Sequence, residues 1–411
     1  MKGNILKGDK VLWIIYISLI IISFLEVFSA SSTLAYQAKG GFMRPIMGHT
    51  IIIIASLACV FVISRLKKTF FRSILLALYP LALFLVILTL FKGSSVNSAT
   101  RWISLGPISI QPSEVFKLAL VITGATLLGG RIKTGSGGRN FITYWIACFI
   151  PIAVITMENL STGIFLTLFV LIFSWIARAP RKPFLKLIGV FAGLGFLGTV
   201  LLLSLSSEQL AALHHRAPTW KSRVETMLGL ENKHVKLTPE QKDSVKFAID
   251  NDNFQAQHAK IAIANSKVVG VGPGQSLERD ILPQAYSDFI YAIIIEETGI
   301  LGMLLVPALY FWLLFRSSQI ATRTENKYFK YILWGFGLMY PLQAMVNFSV
   351  VANLFLTGQT LPLISRGGTS FLMTSIAFGI MIGVSRIIDD EREAKELNIV
   401  KDNQYVEESN N

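Results

Sequence analysis

Ten apolar runs divide the chain, at about 11–30, 49–64, 73–91, 112–129, 141–157, 162–177, 184–205, 288–315, 328–352 and 367–388. Most approach the roughly 20 residues that carry a helix through a bilayer core. They predict an all-α polytopic membrane protein with ten transmembrane helices. Short polar loops join most of the runs. The exception is 206–287, a large extracytoplasmic loop between helices 7 and 8. Within it, Thr238-Pro239-Glu240-Gln241 reads as a capping box with proline at the first helical position. That predicts a short helix to about Asp250, and a second is expected from Phe254 to Ser266. Trp220 and Phe254 are large apolar residues that could seat the loop at the bilayer surface, as a lid over the helix ends or as a wall of the active site. The domain reading is a membrane domain over 1–388 and a polar cytoplasmic tail over 389–411, which lacks apolar periodicity and is expected to be mobile. No internal repeat is apparent.

Composition agrees. The chain is 52% hydrophobic and 15% charged, where soluble domains carry about 25% charged residues, and its mean hydropathy is +0.55. The net charge of +13 is explained by orientation bias without nucleic acid. Six segments on one side each carry three or four basic residues, such as Arg65, Lys67, Lys68 and Arg72. The four short loops on the other side hold Lys39, Arg44, Lys92, Arg101 and Arg366 in all. This asymmetry places both termini in the cytoplasm and 206–287 outside. The first run ends in VFSASS and lacks a cleavage site, so it reads as a retained helix. Cys59 and Cys148 both fall inside apolar runs, which excludes a disulfide framework, and there is no CxxC metal site.

Charges inside such runs are rare and therefore informative. Asp288 stands at the mouth of the eighth run, after the glycine- and proline-rich stretch GVGPGQSLERDILPQAYSD, where a carboxylate needs partners or a task. Glu114 and Lys117 are three apart on one helix face of the fourth run. They are either a structural ion pair or a pair whose lysine also faces an anionic substrate. Arg101 and Trp102 precede that run: the tryptophan suits an interfacial anchor, the guanidinium a phosphate. Glu296 and Glu297 are adjacent and so point in different directions. Glu26 reads as structural. Between the last two runs, TGQTLPLISRGGTS implies a broken or re-entrant segment, tolerated only against protein or a water-filled cavity. Arg366 lies at its end. Arg101, Lys117 and Arg366 form a candidate cationic set around Asp288.

These stretches resemble the SEDS family (shape, elongation, division and sporulation), which includes RodA and FtsW. Four blocks carry the likeness: VFSASS at 27–32, RWISLGPISIQPSEVFKLA at 101–119, GVGPGQSLERDILPQAYSDFIYAIIIEETGILG at 270–302, and LTGQTLPLISRGGTSFLM at 356–373. With the ten-run topology they cover essentially the whole chain. The opening GDKVLW…VFSASSTLAYQ looks more like the FtsW members than the RodA members.

The resemblance implies a peptidoglycan glycosyltransferase that polymerises lipid II at the outer face of the bacterial cytoplasmic (inner) membrane. It implies a class B penicillin-binding protein and other divisome membrane proteins as partners, with work at the division septum. The family's essential aspartate matches Asp288, and a second acidic position eight residues earlier matches Asp280. Its arginine–tryptophan pair matches Arg101 and Trp102, and its glutamate and lysine match Glu114 and Lys117. The chain departs from the family pattern at Gln284, Tyr286, Glu158-Asn159-Leu160-Ser161, Ser266-Lys267 and Arg366.

On this reading Asp288 is the base that activates a sugar hydroxyl, and fixed cations stabilise the departing pyrophosphate. A divalent cation such as Mg2+ could assist there, although no metal-ligand spacing demands one. The rivals are a lipid II flippase, an elongation polymerase and a noncatalytic division scaffold.

Overall fold

The computed structural model describes residues 6–29, 43–73, 77–92, 94–96, 99–105, 108–130, 137–214, 216–227, 254–282, 285–351 and 359–410. Each apolar run falls on a helix: α1 (Lys10–Ser29), α2 (Met43–Ile63), α4 (Leu78–Lys92), α5 (Pro112–Leu128), α6 (Gly137–Glu158), α7 (Leu160–Ile176), α8 (Arg181–Ser204), α13 (Ile290–Thr298) with α14 (Ile300–Ala321), α15 (Lys327–Val351) and α16 (Gly368–Asn410). Between them lie α3 (Lys68–Ser73), α9 (Ser207–Leu213), α10 (Ala217–Met227), α11 (Phe254–Asn265) and the single turn α12 (Glu278–Ile281). Among the described residues six helices are long and apolar enough to cross a membrane, and α4 and α7 are shorter apolar helices.

Helices α5 and α15 form the centre. Nearly every residue of α5 is buried, Glu114 and Lys117 included, and α15 buries Gln343 and Asn347. The two approach closely: a methyl group at Gly335 would stand 2.4 Å from Val121 Cγ1. Small residues at such contacts let helix backbones meet where van der Waals packing must hold them. Helix α8 lies at the periphery, with no buried residue and apolar side chains such as Leu194, Phe196 and Leu197 facing outward.

The all-α class holds, and the structure adds to the expected picture at three places. The first is the loop before α5. Residues 94–110 form an antiparallel three-stranded ribbon, β1 (Ser94–Val96), β2 (Ala99–Leu105) and β3 (Ile108–Ile110), with Val96 opposite Ala99 and Ile103 opposite Ile110. The alternation of Trp102, Ser104 and Ser109 with apolar neighbours has the period of a strand.

The second is the eighth helix, expected to be continuous. Gly299 (φ +64°) divides it into α13 and α14. The glycine-rich loop before α12 docks its backbone on the break. Val271 N donates to Glu296 O (2.9 Å), Gly272 N to Glu297 O (3.0 Å) and Ile300 N to Val268 O (3.0 Å). The loop thus satisfies backbone groups that a membrane would leave without water. A Cβ at Gly299 would lie 2.3 Å from Val268 O, and one at Gly270 (φ +86°) 2.3 Å from Glu297 O.

The third is the polar tail. Helix α16 continues through the polar residues to Asn410. Glu391 pairs with Lys68, Asp389 with Arg323 (3.7 Å), and Arg386 donates to the carbonyls of Arg65 (3.2 Å) and Leu66 (2.6 Å). Its Glu-, Lys- and Arg-rich composition favours helix, and the Arg392–Glu396 pair adds a contact one turn apart (3.6 Å).

The expected helix from Phe254 is α11. The capping box at 238–241 lies outside the described residues.

Candidate active site

Asp288 lies one residue before Phe289, the N-cap of α13, in a run of turns from Ala285 to Asp288. Its side chain is half-buried, and Oδ1 accepts from Ser287 Oγ (3.1 Å). The backbone around it is held from two sides. Asn347 Nδ2 donates to Asp288 O (2.9 Å) and Gln359 O (2.7 Å). Ser365 Oγ donates to Ser287 O (2.6 Å), and Arg366 N to Tyr286 O (3.0 Å). The Arg366 guanidinium carbon stands 5.7 Å from the Tyr286 ring centre. The broken helix and the segment before α16 therefore meet at Asp288.

That segment, 359–367, is buried and non-helical over most of its length, as its glycines and proline require. Leu363 takes φ +60°, a conformation rare for a branched residue and held only by its surroundings. Gln359 Nε2 donates to Thr162 Oγ1 (2.6 Å), Leu361 N to Ser365 Oγ (2.7 Å), Ser23 Oγ to Ile364 O (2.9 Å), and Tyr310 Oη to Pro362 O.

Below lies a buried ionic network. Lys117 Nζ contacts Glu114 Oε1 (2.7 Å) and donates to Gln343 Oε1 (2.8 Å). Glu114 Oε2 accepts from Ser370 Oγ (3.1 Å), and Gln343 Nε2 donates to Thr360 O (2.8 Å). Lys117 is 2% exposed and Glu114 5%, so the pair offsets its desolvation through these extra hydrogen bonds. Among the described residues two of the three Lys117 N–H donors have partners, which leaves one for another acceptor.

The remaining candidates sit apart from this network. Trp102 is half-buried in β2 opposite Ser94. Arg101 also belongs to β2, and its side chain lies outside the described residues. Asp280 is on α12, 3.6 Å from Arg279 Nε and with a side chain 53% exposed. Arg279 Nη1 donates to Ser29 O (3.0 Å), tying α12 to the end of α1. Glu297 accepts from Ser29 Oγ, while Glu296 accepts from Ser276 Oγ and Asn265 Nδ2 (3.4 Å). The two adjacent carboxylates thus take different loop partners. Asn159 caps α7 by accepting from Thr162 N (3.4 Å). Among the described residues no group of three or more His, Cys, Asp or Glu could hold a metal ion.

The sequence reading missed Gln343, Asn347, Gln359 and Ser365. The available signal was Gln343 and Asn347 standing four apart in an apolar run, which puts two amides on one helix face.

The fold and this network define a polytopic helical membrane protein with a polar site at one end of its central helices. The chain belongs to the FtsW/RodA/SpoVE family of cell cycle proteins, which its residues 9–389 match. It is 30% identical over 391 residues to a probable peptidoglycan glycosyltransferase FtsW of Idiomarina loihiensis, covering 93% of this chain and 87% of that one. It is 31% identical over 390 residues to the stage V sporulation protein E of Bacillus subtilis, covering 92% and 97%. The fold is shared with the crystal structure of the Thermus thermophilus rod shape determining protein RodA (TM-score 0.61, 19% identity, 92% and 97% covered). It is also shared with a chain of a peptidoglycan synthase complex that coordinates polymerization and crosslinking (TM-score 0.65, 21% identity, 93% and 98% covered).

Proposed function

We propose that this chain is a peptidoglycan glycosyltransferase that polymerises lipid II with release of undecaprenyl pyrophosphate. The observation that carries the reading is the fixing of Asp288 at the junction of two broken segments, in a chain whose full-length relatives bear that activity in their names. Asp288 Oδ takes the proton from the acceptor sugar's 4-hydroxyl. The oxygen bonds to the donor's anomeric carbon as the bond from that carbon to the pyrophosphate oxygen breaks. In-line attack inverts the α-linked donor to a β-linked glycan.

Arg366, beside Asp288 through the Tyr286 contact, supplies a planar fork of donors for the pyrophosphate. Lys117 contributes its remaining donor, and Arg101 and Trp102 flank the entry on β2. Asp280 belongs to the rim. Glu114 holds Lys117 in position. The site is on the outer face, with ten crossings, both termini inside and residues 206–287 outside. The basic residues concentrated on the opposite side support this orientation. A membrane-anchored penicillin-binding protein that crosslinks the strands is the proposed partner, and the division septum the proposed location.

The test is glycan polymerisation from purified lipid II by the detergent-solubilised protein, with and without its partner. Arg366→Lys keeps the charge and loses the fork, so it is expected to raise the KM for lipid II while leaving the melting temperature near wild type. Unchanged kinetics would remove Arg366 from the site.

A further inference from the structure

The end of the molecule opposite Asp288 contains a cavity of about 700 Å³. It opens where α5 and α7 end and α15 begins. Arg178, Lys327 and Lys330 line it, beside Phe141, Ile176 and Trp334. Among the described residues no ion pair joins any of the three cations to a carboxylate. Three like charges around one hollow repel one another unless an anion enters.

Several details favour that anion. Helix C-termini ordinarily repel negative charge, but here Asn140 Nδ2 donates to Leu127 O (3.1 Å) and Tyr331 Oη to Ala177 O (3.2 Å), so one carbonyl at each end is engaged. Arg178 is held at φ +56° in the turn after α7, a left-handed conformation that non-glycine residues rarely adopt. Lys330 Nζ stands 5.2 Å from the Trp334 ring centre. Orientation bias alone would scatter cations along loops; it does not require them to share a concave, aromatic-walled space of ligand size.

We propose that this cavity binds the phosphodiester headgroup of an anionic phospholipid, with Arg178, Lys327 and Lys330 on the phosphate and the Phe141–Trp334 side against the glycerol and upper acyl chains. The apolar wall is what selects a lipid over a soluble phosphate, and basic pockets between membrane helices are suited to such headgroups.

The experiment is native mass spectrometry of the purified full-length protein titrated with phosphatidylglycerol or phosphatidylcholine. At about 1 kcal/mol for each basic residue near a charged lipid surface, the triple variant Arg178→Gln/Lys327→Gln/Lys330→Gln is expected to lose at least about tenfold in phosphatidylglycerol affinity. Phosphatidylcholine binding should not change. Neutralising Lys10, Lys186 and Lys395, all exposed and outside the cavity, should leave phosphatidylglycerol binding within about twofold of wild type. If the triple variant fails to fold, Lys327→Gln at its exposed position reads the same loss at about fivefold, for one such charge. Equal losses in the cavity and control variants, or no loss in either cavity variant, would overturn the proposal. Displacement of the lipid by glycerol 3-phosphate at comparable concentration would overturn the lipid assignment and indicate a soluble phosphate.

Discussion

Gln343 and Asn347 stand one turn apart on α15 and connect the buried lysine to the backbone of Asp288. Replacing Asn347 by leucine strands the carbonyls of Asp288 and Gln359. Leaving such groups unpaired costs about 1–3 kcal/mol each, so Asn347→Leu is expected to lower the melting temperature in detergent and to reduce kcat more than it raises KM. A wild-type melting temperature and turnover would contradict that role. The network is also directional. Gln343 presents its oxygen to Lys117 and its amide to Thr360 O. Exchanging the pair, Glu114→Lys with Lys117→Glu, would set a carboxylate against that oxygen. The double variant is expected to be less stable than wild type and inactive; full activity at normal expression would reduce the pair to an interchangeable salt bridge. Glu114, Lys117 and Asp288 were legible in the sequence because charge is scarce in apolar runs. Gln343 and Asn347 were not, because an uncharged amide in such a run does not reveal which carbonyl it serves.

At the scale of elements, runs of apolar residues predicted where helices lie and missed where one breaks. The break at Gly299 depends on contacts with Val268, Val271 and Gly272, some thirty residues earlier, and no local pattern reports them. The strands at 94–110 carry a legible alternation at Trp102, Ser104 and Ser109, but only the interfacial role of Trp102 was drawn from that stretch. Gly299→Ala and Gly270→Ala each place a methyl group 2.3 Å from a backbone oxygen. Both are expected to unfold well below wild type, whereas Gly272→Ala, strained at φ +101° but with its methyl meeting only Gln275 at 3.7 Å or more, should be milder. Equal melting temperatures for the three would remove the docked loop from the account. At the other end Asp9 accepts from Val11 N (3.0 Å) and Leu12 N (3.2 Å) and pairs with Arg316 (2.6 Å), joining α1 to α14. Asparagine can replace the cap but not the charge. Asp9→Asn should therefore destabilise less than Asp9→Ala, and the reverse order would mean that the cap carries no weight.

For the whole molecule, the proposed ten-crossing topology would put Asp288 where a lipid-linked sugar on the outer leaflet reaches it. With Cys59 and Cys148 replaced, a cysteine at Val269, which is 82% exposed, should react with an impermeant maleimide in intact spheroplasts. One at Leu397, 63% exposed, should react only after lysis. The opposite pattern would turn the site to the wrong leaflet. Topology alone does not separate a polymerase from a protein that moves lipid II across the membrane, since both need a polar site among helices. Detergent separates them, because no compartments remain. The decisive measurement is glycan chain length formed from lipid II by purified wild type and Asp288→Asn in detergent, each with the partner transpeptidase present. Wild type should lengthen glycan, and Asp288→Asn, which keeps the shape but not the proton acceptor, should fall at least about a hundredfold while retaining its melting temperature. Near-wild-type glycan synthesis by a folded Asp288→Asn variant would contradict the assignment of Asp288 as the base.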